Sequence, residues 1–303
     1  MPKATRLTPL TSRPPTFLQC GAFKLSLEQP LVMGVVNVTP DSFSDGGLYA
    51  GTEQAVAHAR RLIEEGADIL DIGGESTRPG SAAVALEDER RRVLPVLEAL
   101  AGCGVPVSVD TRKPGLMAEV IAAGADMVND VTALSAPAAL EAVAPAPVAV
   151  CLMHMRGEPG TMQENPAYRD VVREVRGFLA QRVAAAERAG IARGRIVADP
   201  GFGFGKTVEH NLALLRSLAE FGSLGVALMA GLSRKAMLGT LTGREPRARV
   251  HASVAAALLA VQNGAHIVRV HDVAATRDAL AVWNAVKGSE SDAKPQRRKE
   301  IEE

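Results

Sequence analysis

From Leu31 onward, short apolar and β-branched runs alternate with longer stretches whose apolar residues recur at helical spacing. The short runs predict strands over Leu31–Asn37, Asp68–Asp71, Pro106–Asp110, Asp126–Asn129, Pro147–Met153, Arg195–Asp199, Val226–Ala230 and His266–Val270. The longer stretches predict helices over Glu53–Glu65, Glu87–Ala101, Tyr168–Ala189 and Arg247–Asn263. In Tyr168–Ala189, residues Val171, Val175, Phe178, Leu179 and Val183 fall on one stripe. Gly66, Gly124 and Gly264 each follow a helical stretch and precede a strand. Glycine there can take the left-handed conformation that closes a last turn. Repeated strand–helix alternation implies parallel strands with right-handed crossovers. The expected class is α/β, a (β/α)8 TIM barrel with helices outside; a doubly wound open sheet is the alternative.

The strand ends carry the next signal. Asn37, Asp71, Asp110, Asn129, His154, Asp199, Ser233 and His271 each stand at or just past one. In a parallel barrel these ends meet at one mouth, where such enzymes do their chemistry. A plainer reading makes each an N-cap of the following helix. Asp110 and Asp199 lie several residues before their helices, so capping does not account for the set. Three segments are expected: an N-terminal extension over residues 1–28, the barrel over 29–287, and a tail over 288–303. The tail mixes charges without hydrophobic spacing and is expected to be disordered.

Composition narrows the classes. The 34 basic and 34 acidic residues balance, and aromatics are 3% of the chain. No basic surplus or row of stacking rings is offered to a nucleic acid. Cys20, Cys103 and Cys151 are scattered without zinc spacing, which suits a reducing compartment. No apolar run approaches the roughly 18 residues of a membrane span. The basic, proline-containing start lacks the apolar core of a secretory signal, leaving an organelle transit peptide as the alternative to a cytoplasmic protein.

Two loops are dense in chemistry. Gly34–Gly47 runs from strand into hydroxyls, carboxylates and glycines around Phe43. Leu70–Gly80 adds three glycines, hydroxyls and Arg78, a set suited to an anion. With Ser108–Thr111, Asn129–Val131, Asp199–Lys206, Gly231–Lys235 and Arg269–Val273, the chain resembles the dihydropteroate synthase family from about residue 31 to 285. That resemblance implies condensation of 6-hydroxymethyl-7,8-dihydropterin pyrophosphate with p-aminobenzoate, releasing pyrophosphate by a dissociative substitution in folate biosynthesis. It implies that Asp110, Asn129, Asp199, Lys235, Met153 and Arg269 hold the pterin. Asn37, Thr77, Arg78, Arg269 and His271 would surround the diphosphate, with Mg²⁺ on Asn37. Phe43, Pro79, Phe204, Ser233 and Lys235 would form the p-aminobenzoate site. Asp110, Lys235, Arg269 and Asp45 are the implied catalytic residues, and a homodimer through late helices is the implied assembly.

Rival readings are weaker. A P-loop needs GxxxxGK[ST], but proline occupies position 200, where the first glycine belongs. A corrinoid-linked methyltransferase barrel would share Asp110, Asn129 and Asp199 but has no use for the Phe43 loop or an anion site at Arg269 and His271. A pterin binder without turnover should have lost anion residues, and none is missing. Lys206 reads as ordering its own loop, His154 as touching ligand or serving a structural role, and His251 as structural.

Overall fold

The computed structural model describes residues 15–38, 47–76, 81, 83–158 and 160–288. An antiparallel hairpin, β1 (Phe17–Cys20) and β2 (Phe23–Ser26), comes first. Then β3 (Leu31–Asn37) leads to α1 (Gly47–Glu64), β4 (Ile69–Gly73) to α2 (Leu86–Ala99), and β5 (Val107–Asp110) to α3 (Pro114–Ala122). β6 (Met127–Asp130) leads to α4 (Ala139–Val143), β7 (Ala149–Met153) to α5 (Val171–Arg188), and β8 (Ile196–Asp199) to α6 (Val208–Arg216). β9 (Ala227–Ala230), α7 (Ala236–Thr242), α8 (Val250–Gln262), β10 (Ile267–Val270) and α9 (Val273–Lys287) finish the order. Strands β3 to β10 are parallel and close on themselves, β10 pairing with both β9 and β3. The (β/α)8 barrel is therefore the fold, and the open-sheet alternative is excluded.

Side chains alternate across each strand, and burial sorts them. Val32, Val36, Leu70, Ile72, Val107, Val109 and Val268 join one core cluster with residues of α1, α2, α3 and α8. Val128, Val150, Leu152, Ile196, Ala198 and Leu228 join another with α5 and α6. Each buried Val, Leu or Ile contributes about 1.5–3 kcal/mol, so this outer layer fixes register. Residues of opposite parity face the barrel axis. Near its lower end they are apolar: Met33, Ile69, Met127, Cys151, Val197, Met229 and Ile267 form one cluster.

The region read as an N-terminal extension contains a structural part. Leu18 and Cys20 of the hairpin and Leu27 beyond it pack into that axial cluster, plugging the barrel floor. The Cys20 thiol donates to the Asp126 carbonyl at 3.6 Å. Asp68 and Asp126 each accept a backbone N–H from the neighbouring strand, at 2.7 Å from Val32 and 3.0 Å from Val107. These bonds hold the hairpin end of the barrel shut and leave the other end for chemistry. His251, read from sequence as structural, is exposed on α8.

Candidate active site

Register alone assembles the first part of the rim. Asn37 pairs with Gly73, Gly73 with Asp110, and Asp110 with Asn129, so these positions share one level of the inner wall. Gly73 keeps a gap there: a β-carbon would lie 3.8 Å from the Asp110 β-carbon and 3.9 Å from Asn37 Oδ1. Asp71 lies on the same inward column of β4 and is fully buried. Met153 pairs with Asp199 across β7 and β8, and both are buried.

Arg269 on β10 ties this wall together. Its Nε donates to Asp71 Oδ2 at 2.6 Å, and Nη2 donates to Asp110 Oδ2 at 3.1 Å. Asn129 Nδ2 donates to the same Asp71 oxygen at 3.0 Å. Burial raises the Asp110 pKa to about 7; Arg269 opposes this, while Asp71 and Glu89 add to it. Burial pulls the Arg269 guanidinium down, but Asp71 and Asp110 outweigh it and hold the group above its usual range. Asp199 is raised mainly by burial, countered by the Gly201 N–H, which donates at 2.7 Å, and by Lys235, Lys206 and Arg269.

A second sector comes from the loops after β8, β9 and β10. Lys235 is the N-cap of α7, and its Nζ lies 4.0 Å from the centroid of the Phe204 ring. Arg234, in the left-handed region at φ 58°, donates through Nε to Asp272 at 3.1 Å. That pair joins the β9–α7 loop to the start of α9. Ser233 Oγ accepts the His271 backbone N–H at 3.2 Å and lies 3.0 Å from His271 Nδ1. Burial, then Arg269 and Arg234, pull the His271 pKa down to about 3, so its imidazole is neutral at pH 7.

Beside this sector lies a knot of backbone bonds. Lys206 Nζ sits 2.9 Å from His154 Nδ1 and donates to the carbonyls of Gly201, Phe204 and His154 at 2.9, 3.0 and 3.2 Å. Burial pulls its pKa down to about 7, and burial with Lys206 takes His154 to about 3. Gly201 and Gly205 have positive φ, and a β-carbon on either would collide with the carbonyl of His154 or Arg156. These residues shape the loop that places Phe204, and His154 braces it through Lys206.

The structure thus brings together Asp110, Asn129, Asp199, Arg269, Asn37 and Met153 on the inner wall, with Lys235, Phe204, Ser233 and His271 in the adjoining loops. Phe43, Asp45, Thr77, Arg78 and Pro79 lie outside the described residues. Sequence reasoning gave Asp71 no role beyond a strand end. Its signal was an aspartate inside an otherwise apolar five-residue strand, Ile69–Gly73. Among the described residues no group of three or more His, Cys, Asp or Glu is arranged to hold a metal. The donor Asn37 offers is a single neutral amide oxygen.

Comparison with known proteins places this rim. Residues 33–271 match the pterin binding enzyme family. A dihydropteroate synthase of Neisseria meningitidis serogroup C is 54% identical over 273 residues, covering 88% of this chain and 96% of the relative. The Xanthomonas albilineans dihydropteroate synthase with 4-aminobenzoic acid superposes with a TM-score of 0.86 at 57% identity, covering 91% of this chain and 99% of that one. The Burkholderia cenocepacia enzyme complexed with 7,8-dihydropteroate gives 0.82 at 51% identity, covering 90% and 97%.

Proposed function

The chain belongs to the pterin binding enzyme family, and we infer that it is a dihydropteroate synthase, condensing 6-hydroxymethyl-7,8-dihydropterin pyrophosphate with p-aminobenzoate in folate biosynthesis. The observation that carries this reading is the single wall on which Asp71, Asp110, Asn129 and Arg269 are hydrogen-bonded into one network beside Asp199.

An aminopyrimidinone edge presents adjacent N–H donors. Asp110 and Asp199 are acceptors at the depth where such an edge would enter, with Met153 as an apolar wall. Lys235 lies over Phe204 and acts on Asp199, so its ammonium is placed to meet the ring carbonyl or the carboxylate of p-aminobenzoate. Phe204 supplies the flat face and Ser233 a hydroxyl for that second substrate. Arg269 gives two donors to carboxylates and keeps Nη1 without a partner among the described residues, an edge suited to the diphosphate. His271 is neutral and contributes a hydrogen bond rather than a charge.

A hard cation that keeps most of its waters needs few protein donors, so the lone Asn37 oxygen fits Mg²⁺ delivered with the diphosphate. When bound, Mg²⁺ would neutralise charge developing on the leaving oxygens. The C–O bond to pyrophosphate breaks first, taking the electron pair with it and leaving a resonance-stabilised pterin methylene cation. The amine nitrogen then attacks, and its proton passes to solvent or phosphate. Asp110 lies where its negative charge would stabilise that cation.

A homodimer through α8 and α9 belongs to the same reading. Leu259, Val282 and Val286 are 49%, 66% and 82% exposed on those helices. The groove between them is lined by Val250, Val254, Leu258 and Ala275. No described helix is long and apolar enough to cross a membrane, and a cytoplasmic setting is proposed with the reaction. Pyrophosphate release from the pterin substrate, required to depend on p-aminobenzoate, tests the activity. A corrinoid-linked methyltransferase would release none.

A further inference from the structure

We propose that Asp71, which cannot touch substrate, is a positioning residue that fixes which atom of Asn129 faces the pterin. This rests on the pterin-binding reading of the rim. A carboxylate paired with arginine only accepts hydrogen bonds, whereas an amide carries donors on one atom and acceptors on the other. Asp71 is fully buried, and its Oδ2 takes both Arg269 Nε at 2.6 Å and Asn129 Nδ2 at 3.0 Å. The Asn129 amide is thereby held with its N–H₂ group against β4, and the opposite orientation would set two acceptors face to face. Asn129 Oδ1 is left to serve as an acceptor on the wall, alongside the carboxylates of Asp110 and Asp199. The same oxygen of Asp71 fixes the guanidinium from its Nε side, so the turn of Arg269 towards Asp110 and the polarity of Asn129 are set by one buried group. Asp71 therefore selects for a ligand edge rich in N–H donors without contacting it.

An amide–carboxylate swap tests this. Asp71→Asn relieves the constraint, because an amide at that position can donate to Asn129 Oδ1 and let the side chain turn over. Its affinity for pterin, measured by calorimetry on the full chain, should fall about tenfold or more. The swapped pair, Asp71→Asn with Asn129→Asp, again places an acceptor on the wall and should recover affinity to within about threefold of the parent. In Asp71→Asn the KM for the pterin substrate should rise while that for p-aminobenzoate is unchanged. The acid limb of the pH profile should move to lower pH, because Asp110 loses a like charge. Unchanged pterin affinity in Asp71→Asn, or a swap no better than the single variant, overturns the proposal. Should Asp71→Asn fail to fold, hydrogen exchange of the Asn129 side-chain amide in the ligand-free parent decides instead. Slow exchange supports the proposal, and exchange at the rate of an exposed amide overturns it. If the parent binds pterin but releases no pyrophosphate, the activity reading fails while this one still stands.

Discussion

Arg269 and Lys206 are both cations withdrawn from water near one rim, and the chain satisfies them in opposite ways. Lys206 is 3% exposed, and its partners are His154 and three backbone carbonyls, all within its own neighbourhood of loops. Arg269 is met by two carboxylates from β4 and β5, with one edge of its guanidinium left over among the described residues. The first arrangement is closed: the ammonium is surrounded by one imidazole and three carbonyls of the loops it holds. The second is open, with charges aimed at one another and at a shared wall. One cation is used to shape a loop, and the other stands on the wall that the proposed function assigns to the substrates.

The contrast breaks most visibly if a carboxylate on the open side is removed. Asp110→Ala and Asp199→Ala should each weaken pterin binding by about a hundredfold, since a charged hydrogen bond is worth about 1.5–3 kcal/mol and the Arg269 or Lys235 charge loses its partner as well. Calorimetric titration with unchanged far-ultraviolet circular dichroism is the check. Parent-like affinity in both variants would refute the pocket assignment.

On the closed side the loss should be stability rather than chemistry. Lys206→Met strands up to three buried carbonyls, and about 3 kcal/mol of lost stability is expected. That corresponds to a Tm lower by about 5 °C for a chain of this length, with pterin affinity in the folded protein little altered. An Arg269→Ala variant should lose pyrophosphate release by about a hundredfold, and stability with it, because the buried Asp71 carboxylate is left without its cation. If folded Lys206→Met lost pyrophosphate release as fully as Arg269→Ala, the division between scaffold and site would be wrong.

Protonation sharpens the same boundary. Asp110 is held near pH 7 in the folded chain, against an ordinary value of 3.8. Between those values the folded state keeps a proton that the unfolded state has released. This group's contribution therefore favours the fold at low pH and fades as pH rises through the window. Its value as an anionic acceptor runs the other way, appearing only as pH passes about 7. The kcat/KM for the pterin substrate should fall on the acid side of neutrality, and the limb should be absent in Asp110→Asn. His271→Ala should give the smallest effect, about tenfold in turnover, because a neutral imidazole offers one hydrogen bond. A loss as large as that of Arg269→Ala would mean that His271 acts as a cation.

Much of this was legible beforehand, for a physical reason. The barrel strands are continuous apolar runs buried on both faces, so their bounds lie within one or two residues of the sequence reading. Asp110, Asn129 and Asp199 were visible as polar residues closing such runs. The hairpin Phe17–Ser26 was not, because its burial depends on the distant barrel floor, through contacts such as Cys20 with Asp126. Short helices such as Ala139–Val143 and Ala236–Thr242 offer too few turns for a period to emerge. Asp71 was seen but not understood. Its meaning lies in the register that brings Asn129 and Arg269 to the same oxygen, and that exists only once the barrel closes.

The most direct measurement of the central claim is pyrophosphate release by the parent chain given pterin pyrophosphate and Mg²⁺, with and without p-aminobenzoate. The account predicts sustained release that requires the amine and yields dihydropteroate in equal amount. Release at the same rate without the amine, or none in its presence, would contradict it.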